Sequence, residues 1–442
     1  MARASELAAA VAACCMAAAL LAGCSTAKDL NPFKKPEEIL PGDRIAVIKP
    51  EENYQVDQAA ARKPVALPPA TRNAEWLQPG GVASNAPGHL ELSGASRTAW
   101  QVDAGSGSSD RARIIASPLV HEGRVYVLDS SSNVTAFSAA GGGRMWRVSL
   151  VPEGERGGGG YGGGMAIDGG QLYVGTGYGV VVALNPSNGA TVWTQNVGVP
   201  IRTSPTAANG RVFVVSTEGQ LFSLDAADGK QLFTFRGSRE NATLLNNVSP
   251  AVSGDIVVVP FPSGDLMAYR IPEGRPAWVD SLGRSSGGAA GSTLASLSDP
   301  ARPVIDKGIV YAVGHAGRMI AASATTGERV WTKNLRGTQM PWVAGDTVFV
   351  VDTAGNLMAL TRAEGAVRWV TQLPQSGRWN GPVLGSGRLW LVSSRGLLVS
   401  VDAATGQLGS QTNLDTTIFI APIVAGGRMY ILTDAGRLLA MD

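Results

Sequence analysis

Ser204-Pro205, Gly210-Arg211-Val212-Phe213-Val214, Gly219-Gln220-Leu221-Phe222-Ser223-Leu224-Asp225, Gly229 and Phe233 together read as one structural unit. Val212-Phe213-Val214 and Leu221-Phe222-Ser223-Leu224 have the alternation of strands. Gly210, Gly219 and Gly229 stand where tight hairpin turns demand positive φ. Pro205 opens an innermost strand, where its missing N–H costs no ladder bond. An aromatic residue four positions after the last Gly begins an outer strand. The unit predicts four short antiparallel strands.

Working outward, the same unit returns along the chain. One copy is Ser249-Pro250, Gly254, Val257, Gly264, Leu266, Tyr269, Gly274 and Trp278. The first copy runs from Ser117-Pro118 to Trp146, and the second from about Met165 to Trp193. Later copies start at Pro303, Pro341, Pro382 and Pro422. From Pro205 onward these prolines are 45, 53, 38, 41 and 40 residues apart. A period near 40–45 is that of a propeller blade. The prediction is an all-β, eight-bladed β-propeller of four-stranded antiparallel blades over residues 95–442.

Trp146, Trp193, Trp278, Trp331 and Trp369 share one register, with Phe233 and Ser410 in their place in two blades. Rings spread around a circle suit wedging between blades better than stacking on one cofactor. The eighth copy ends at Asp442, before any outer strand. Arg97-Thr98-Ala99-Trp100-Gln101-Val102 carries a Trp in the expected place. This N-terminal strand is predicted to complete the last blade and close the ring, which removes open sheet edges.

Composition agrees with many short strands joined by glycine turns. The 442 residues include 56 Gly, and only 16% are charged. A net charge of +2 gives no strong attraction to nucleic acid.

The N-terminus reads as a targeting segment. Arg3 precedes an apolar run from Leu7 to Ala22, which ends in Leu21-Ala22-Gly23-Cys24. That ending resembles a bacterial lipobox, so residues 1–23 are predicted as a lipoprotein signal peptide and Cys24 as the acylated thiol. Cys14 and Cys15 would be removed, leaving no cysteine pair for a disulfide. Ser25, rather than Asp, follows Cys24, as in lipoproteins exported to the outer membrane. Residues 24–94, rich in proline from Pro32 to Pro87, read as a lipidated, extended tether. Within it, Asp43-Arg44-Ile45-Ala46-Val47-Ile48 alternates like a strand, fit either to pair with an edge or partner or to remain a loose tether.

Candidate chemistry is sparse. Gly157–Gly164 lacks the Lys-Ser/Thr of a phosphate loop and opens no helix, so a flexible blade connection is expected. His89, His121 and His315 lie in different units with no metal-ligand spacing. Asp225, Asp352 and Asp402 recur at strand ends and read as turn formers. Two connections depart from the repeat: Gly198-Val199-Pro200-Ile201-Arg202-Thr203, and Gly283 to Ala301 with Leu297-Ser298-Asp299-Pro300. Loops on a rigid scaffold carry recognition. An exposed Ile201 beside Arg202 would anchor a partner, and Ser298-Asp299 would meet its basic residues. Local loop packing is the alternative for both.

The Gly-x-x-x-Trp repeat, preceded by Asp-Ala-Ala/Thr-x-Gly as in Asp402-Ala403-Ala404-Thr405-Gly406, resembles the PQQ-like propeller repeat. Thr98-Ala99-Trp100, Trp146-Arg147-Val148-Ser149-Leu150, and Gly291-Ser292-Thr293 followed by Leu297-Ser298-Asp299 are more specific. They resemble the BamB family of the outer-membrane β-barrel assembly machinery. The resemblance covers Arg97 to Asp442 and the lipobox. It implies a non-enzymatic, lipid-anchored scaffold on the periplasmic face of the outer membrane. Its partners would be BamA POTRA domains, other BAM complex subunits and unfolded outer-membrane proteins, with no cofactor and no metal. The family's apolar-Arg pair falls on Ile201 and Arg202, and its acidic loop on Asp299. A second acidic position is not kept, since Pro300, Ala301 and Arg302 follow. The alternatives are a PQQ-dependent periplasmic dehydrogenase, which would hold quinone and Ca²⁺ near the ring axis, and a periplasmic signalling scaffold.

Overall fold

A computed structural model describes residues 54–237, 248–283 and 300–442. Its strands, β1 to β32 in chain order, form eight four-stranded sheets. The first blade is β2–β5 (residues 119–149) and the second β6–β9 (163–196). The third is β10–β13 (206–236), the fourth β14–β17 (251–281) and the fifth β18–β21 (304–334). The sixth is β22–β25 (342–372) and the seventh β26–β29 (379–413). The eighth joins β30–β32 (423–441) to β1 (Thr98–Asp103). All pairings between strands of a blade are antiparallel, as in Val212↔Leu224 and Leu221↔Phe235.

Ring closure is as the repeat predicts. β1 pairs with β32, with Trp100 opposite Ala440 and Asp103 opposite Arg437. Arg428 Nε donates to Asp442 Oδ1 at 2.6 Å, and its Nη1 reaches Ala139 O of the first blade at 2.9 Å. One guanidinium thus ties the chain's last residue to the neighbouring blade.

The tryptophan register has a geometric cause. Each ring crosses to the next blade and donates its indole N–H to a turn carbonyl there. Trp146 reaches Pro186 O at 3.0 Å, Trp193 reaches Ala226 O at 3.0 Å, and Trp278 reaches Ala324 O at 2.8 Å. Trp331, Trp369 and Trp100 do the same to Arg362, Ala403 and Ala139. Beneath each ring lies the repeat glycine of that next turn. A Cβ at Gly142, Gly189, Gly229, Gly327, Gly365 or Gly406 would fall 2.5–2.9 Å from the ring of the preceding blade. These glycines also have positive φ. Both conditions exclude a side chain. Ser410 replaces Trp in the seventh blade, and the eighth blade has no such turn, because its last two strands come from opposite ends of the chain.

Burial of the second-strand aromatics completes the wedge. Tyr126, Tyr173 and Tyr311 lie 5.9–6.1 Å from Trp146, Trp193 and Trp331. Desolvation pushes the phenols of Tyr126, Tyr173 and Tyr269 up to about 12.

The tether expectation is corrected for residues 54–94, which pack on the ring. Helix α1 (Gln58–Ala61) is capped by Asp57, whose carboxylate accepts from Ala60 N at 2.8 Å. Asp57 N donates to Val367 O on the outer strand β25 (Val367–Gln372) of the sixth blade. Arg368 beside it is buried and donates to Lys63 O and Pro64 O. The chain then crosses to the axis and makes a circuit of the inner strands.

That circuit visits the blades in order. In the eighth blade, Asn73 O accepts from Gly426 N. In the first, Trp76 and Val120 exchange both backbone bonds, at 2.8 and 2.9 Å. Gln78 bridges the second and third, donating to Ile167 O and Ala207 O. Ala83 O accepts from Val252 N in the fourth, and Ser84 O from Ile305 N in the fifth. Asn85 spans the same two, donating to Pro250 O and Pro303 O. Gly88 O accepts the indole N–H of Trp342 in the sixth, and Leu90 pairs beside Leu384 and Ser386 in the seventh. Trp76, Gln78, Asn85 and Leu90 are each at most 3% exposed, so this segment is a plug in the channel, not a linker. Residues 24–53, with Cys24 and the 43–48 alternation, lie outside the described residues, as does the signal segment 1–23.

Candidate partner-binding loop

Ile201 and Arg202 sit where the chain enters the inner strand β10 (Thr206–Ala208) of the third blade. Gly198 takes φ +77, and its N–H is accepted by Asn196 Oδ1 at 2.8 Å. This turn sends the backbone back against the second blade. Ile201 N donates to Thr176 O, and Ile201 bridges Ser216.

The expectation of an exposed Ile201 is corrected: it is 0% exposed. It packs with Tyr173, Val181, Trp193 and Val214 between two blades. Its Cγ2 lies over Gly175, where a Cβ would come within 3.1 Å. An interblade apolar site is the cheapest place for such a side chain, and it takes Ile201 away from any partner.

Arg202 is half-buried and differently placed. Its guanidinium carbon lies 4.6 Å from the centroid of the Tyr161 ring, a cation–π contact. Its stem runs over Gly162, where a Cβ would come 2.9 Å from Arg202 Cγ. The buried Nε has no hydrogen-bond partner.

The glycine-rich stretch is therefore not the loose connection the sequence suggests. Gly160 is buried under the Tyr178 ring, and Tyr178 Oη donates to Arg156 O at 2.5 Å. Gly163 and Gly164 already belong to β6 (Gly163–Asp168), and a Cβ at Gly164 would collide with Ser204. The glycines serve close approach between two blades. The two irregular features thus meet in one surface: Arg156, Tyr161, Tyr178, Pro200 and Arg202. Sequence alone does not point to Tyr161 and Tyr178, because nothing in their spacing ties them to Arg202.

Ser298 and Asp299 lie outside the described residues. The next residue, Pro300, bridges Gly314, the residue just after β19 (Ile309–Val313). Ile201 bridges the residue just after β11 (Arg211–Val215) in the same way. Both candidate loops therefore end at equivalent points, in the third and fifth blades.

The other singled-out residues have structural roles. Asp225, Asp352 and Asp402 each accept from the N–H two residues on, at 2.8–3.0 Å, as turn formers do. His121 Nδ1 lies 2.7 Å from Glu75 Oε1, and His89 bridges Pro68 O and Gly387 N. His315 lies on the turn after β19. Among the described residues, no three His, Cys, Asp or Glu side chains gather as a metal would require.

Fold and loops together define the class: a closed propeller of PQQ-like repeats whose irregular residues lie in connections between blades. Known proteins narrow it. A family model described as "Outer membrane protein assembly factor BamB" matches residues 130–371 and 372–442. The chain belongs to that family, and is an outer-membrane protein assembly factor. It is 27% identical over 348 residues to the outer membrane protein assembly factor BamB of Salmonella typhimurium, covering 78% of this chain and 88% of that protein. The Escherichia coli K12 protein is 26% identical over 351 residues, with the same coverage. Among solved structures, BamB from Moraxella catarrhalis superposes with a TM-score of 0.60 at 19% identity, covering 77% of this chain and 97% of that one. Quinohemoprotein alcohol dehydrogenase from Comamonas testosteroni gives 0.64 at 15% identity over 84% of this chain and 81% of that one, a likeness of fold alone.

Proposed function

We propose that this chain is a non-enzymatic scaffold of the β-barrel assembly machinery. It is held by acylated Cys24 on the periplasmic face of the outer membrane, binds the POTRA domains of the BamA insertase, and assists folding and insertion of outer-membrane proteins. The observation that carries the reading is Arg202, held over Tyr161 at the edge of a rigid interblade surface in a chain of this family. A guanidinium already desolvated on one face loses little further hydration when a carboxylate docks on it. Ser298 and Asp299 supply the complementary acidic loop in this proposal. Ile201 acts by fixing the backbone, not by touching the partner.

The rim offers a place for clients. Met145, Val192, Leu232 and Val330 each precede the wedge aromatic on an outer strand and are exposed. In the sixth blade Arg368 holds this position, and there the chain's own residues 57–64 cover it. An extended client segment would add to the bare edges by strand pairing.

The test mixes the full-length chain with BamA POTRA domains at micromolar concentration. Binding is expected, and Arg202→Glu is expected to weaken it at least about tenfold. No binding by the folded chain overturns the proposal. Ile201→Val, which keeps the core filled, should leave affinity unchanged.

A further inference from the structure

On the axis, above the plug, lies a cavity of about 360 Å³. Its floor is the plug's own Trp76 against Trp342, ring centroids 6.4 Å apart and nearly parallel. Its walls come from the connections that enter the inner strands of the first, sixth, seventh and eighth blades, with Ile114, Met340 and Ile420 giving them an apolar surface. Three guanidinium groups line it, Arg113, Arg302 and Arg378, against a single carboxylate, Asp434. Arg113 lies 3.7 Å from Asp434 Oδ2, and half-buried Arg302 donates to Pro79 O. Arg378 is exposed, its guanidinium carbon 6.0 Å from the exposed ring of Phe419.

Buried atoms of Trp76 and Asp434 in this lining lack partners. The indole N–H of Trp76, a residue 2% exposed, donates to nothing, and Asp434 Oδ1 accepts from nothing. Buried polar atoms of this kind cost free energy unless a ligand or water satisfies them. The wanted complement is an oxygen acceptor and an N–H donor on one molecule, joined to an apolar body and carrying negative charge to match the arginine excess.

We infer that the axial cavity binds an N-acylated aromatic amino acid, free or as the carboxyl-terminal residue of a peptide. The ring lies between Met340 and the tryptophan floor, the carboxylate faces Arg378, and the amide N–H donates to Asp434 Oδ1. A monocarboxylate needs no metal for this, and charge-assisted bonds to a guanidinium give the largest single contribution.

The test uses the full-length chain and isothermal titration with two probes, N-acetyl-L-phenylalanine and the pentapeptide Gly-Gly-Gly-Gly-Phe. Each is compared with its carboxamide. The acids are expected to bind, and the amides to bind about tenfold more weakly through loss of the charged partner. Arg378→Ala should give a similar loss. Trp76→Phe, which keeps a ring but removes the N–H, should give a smaller one. Phe419→Ala, at an exposed position, tests the wall should Trp76→Phe disturb the plug. Binding of the free acid alone assigns a small metabolite, and equal or tighter binding of the peptide assigns a chain end. The inference fails if neither acid binds at millimolar concentration, or if acid and amide bind alike to the parent and Arg378→Ala proteins. It stands or falls independently of BamA binding.

Discussion

The rim and the hub of this ring hold together by opposite means. At the rim one contact, an indole over a glycine turn, is repeated from blade to blade. At the hub a single segment, residues 73–90, touches each blade in turn through bonds that differ from blade to blade. A repeated contact spreads stability evenly, so the loss of one copy is tolerated, as Ser410 shows in the seventh blade. A unique segment concentrates it.

The comparison breaks most readily at the hub. Trp76→Ala removes a ring that is 2% exposed and is expected to cost about 3–5 kcal/mol, measured by denaturant unfolding. Were the plug a mere occupant of the channel, the loss would be near zero.

A smaller effect is expected at the rim, and it separates turn strain from crowding. Gly327→Ala meets both a positive φ and the Trp278 ring, at 2.7 Å. Gly308→Ala meets the positive φ alone, with nothing within 4 Å. The second should cost about 1 kcal/mol, and the first about 1–3 kcal/mol more. Equal losses would mean that the Trp–Gly contact does not hold the blades together.

Alkali should attack the rim next. Tyr126, Tyr173 and Tyr269 have folded pKa values raised to about 12 by burial. A raised value means that their contribution is complete below the free phenol's pKa, near 10, and is lost as pH climbs through about 12. Ultraviolet titration should show phenolate from these three only with unfolding.

Acid should have the least effect, confined to the seam. The hydrogen bond from Arg428 holds the Asp442 carboxyl below the usual carboxylate range. Its contribution is therefore present above about pH 4 and lost as pH falls through the lower folded value. Exposure limits it to about 1 kcal/mol or less, so Asp442→Asn should shift the melting temperature only slightly.

The same contrast explains what the sequence discloses. Blades, closure by Trp100, the wedge register and the aspartate turns are legible because each is written several times at a fixed spacing. The plug is written once, among prolines and polar residues, and its bonds are mostly backbone carbonyls and amides, which any residue supplies. Trp76, Gln78 and Asn85 therefore read as tether. Ile201 reads as exposed for a related reason. Its neighbours Tyr173 and Trp193 belong to the preceding blade, and the adjacency exists only once the two blades have packed together. Arg202 stands out in the sequence, but Tyr161 beneath it is hidden in a run of glycines.

The plug precedes every blade in the chain, and β1 precedes the strand it pairs with by the whole length of the ring. Only a few residues separate the plug from β1, so the hub contacts and the seam belong to one stretch of chain. Residues 73–103 thus serve as axle and clasp at once, and whatever loosens that stretch loosens hub and seam together.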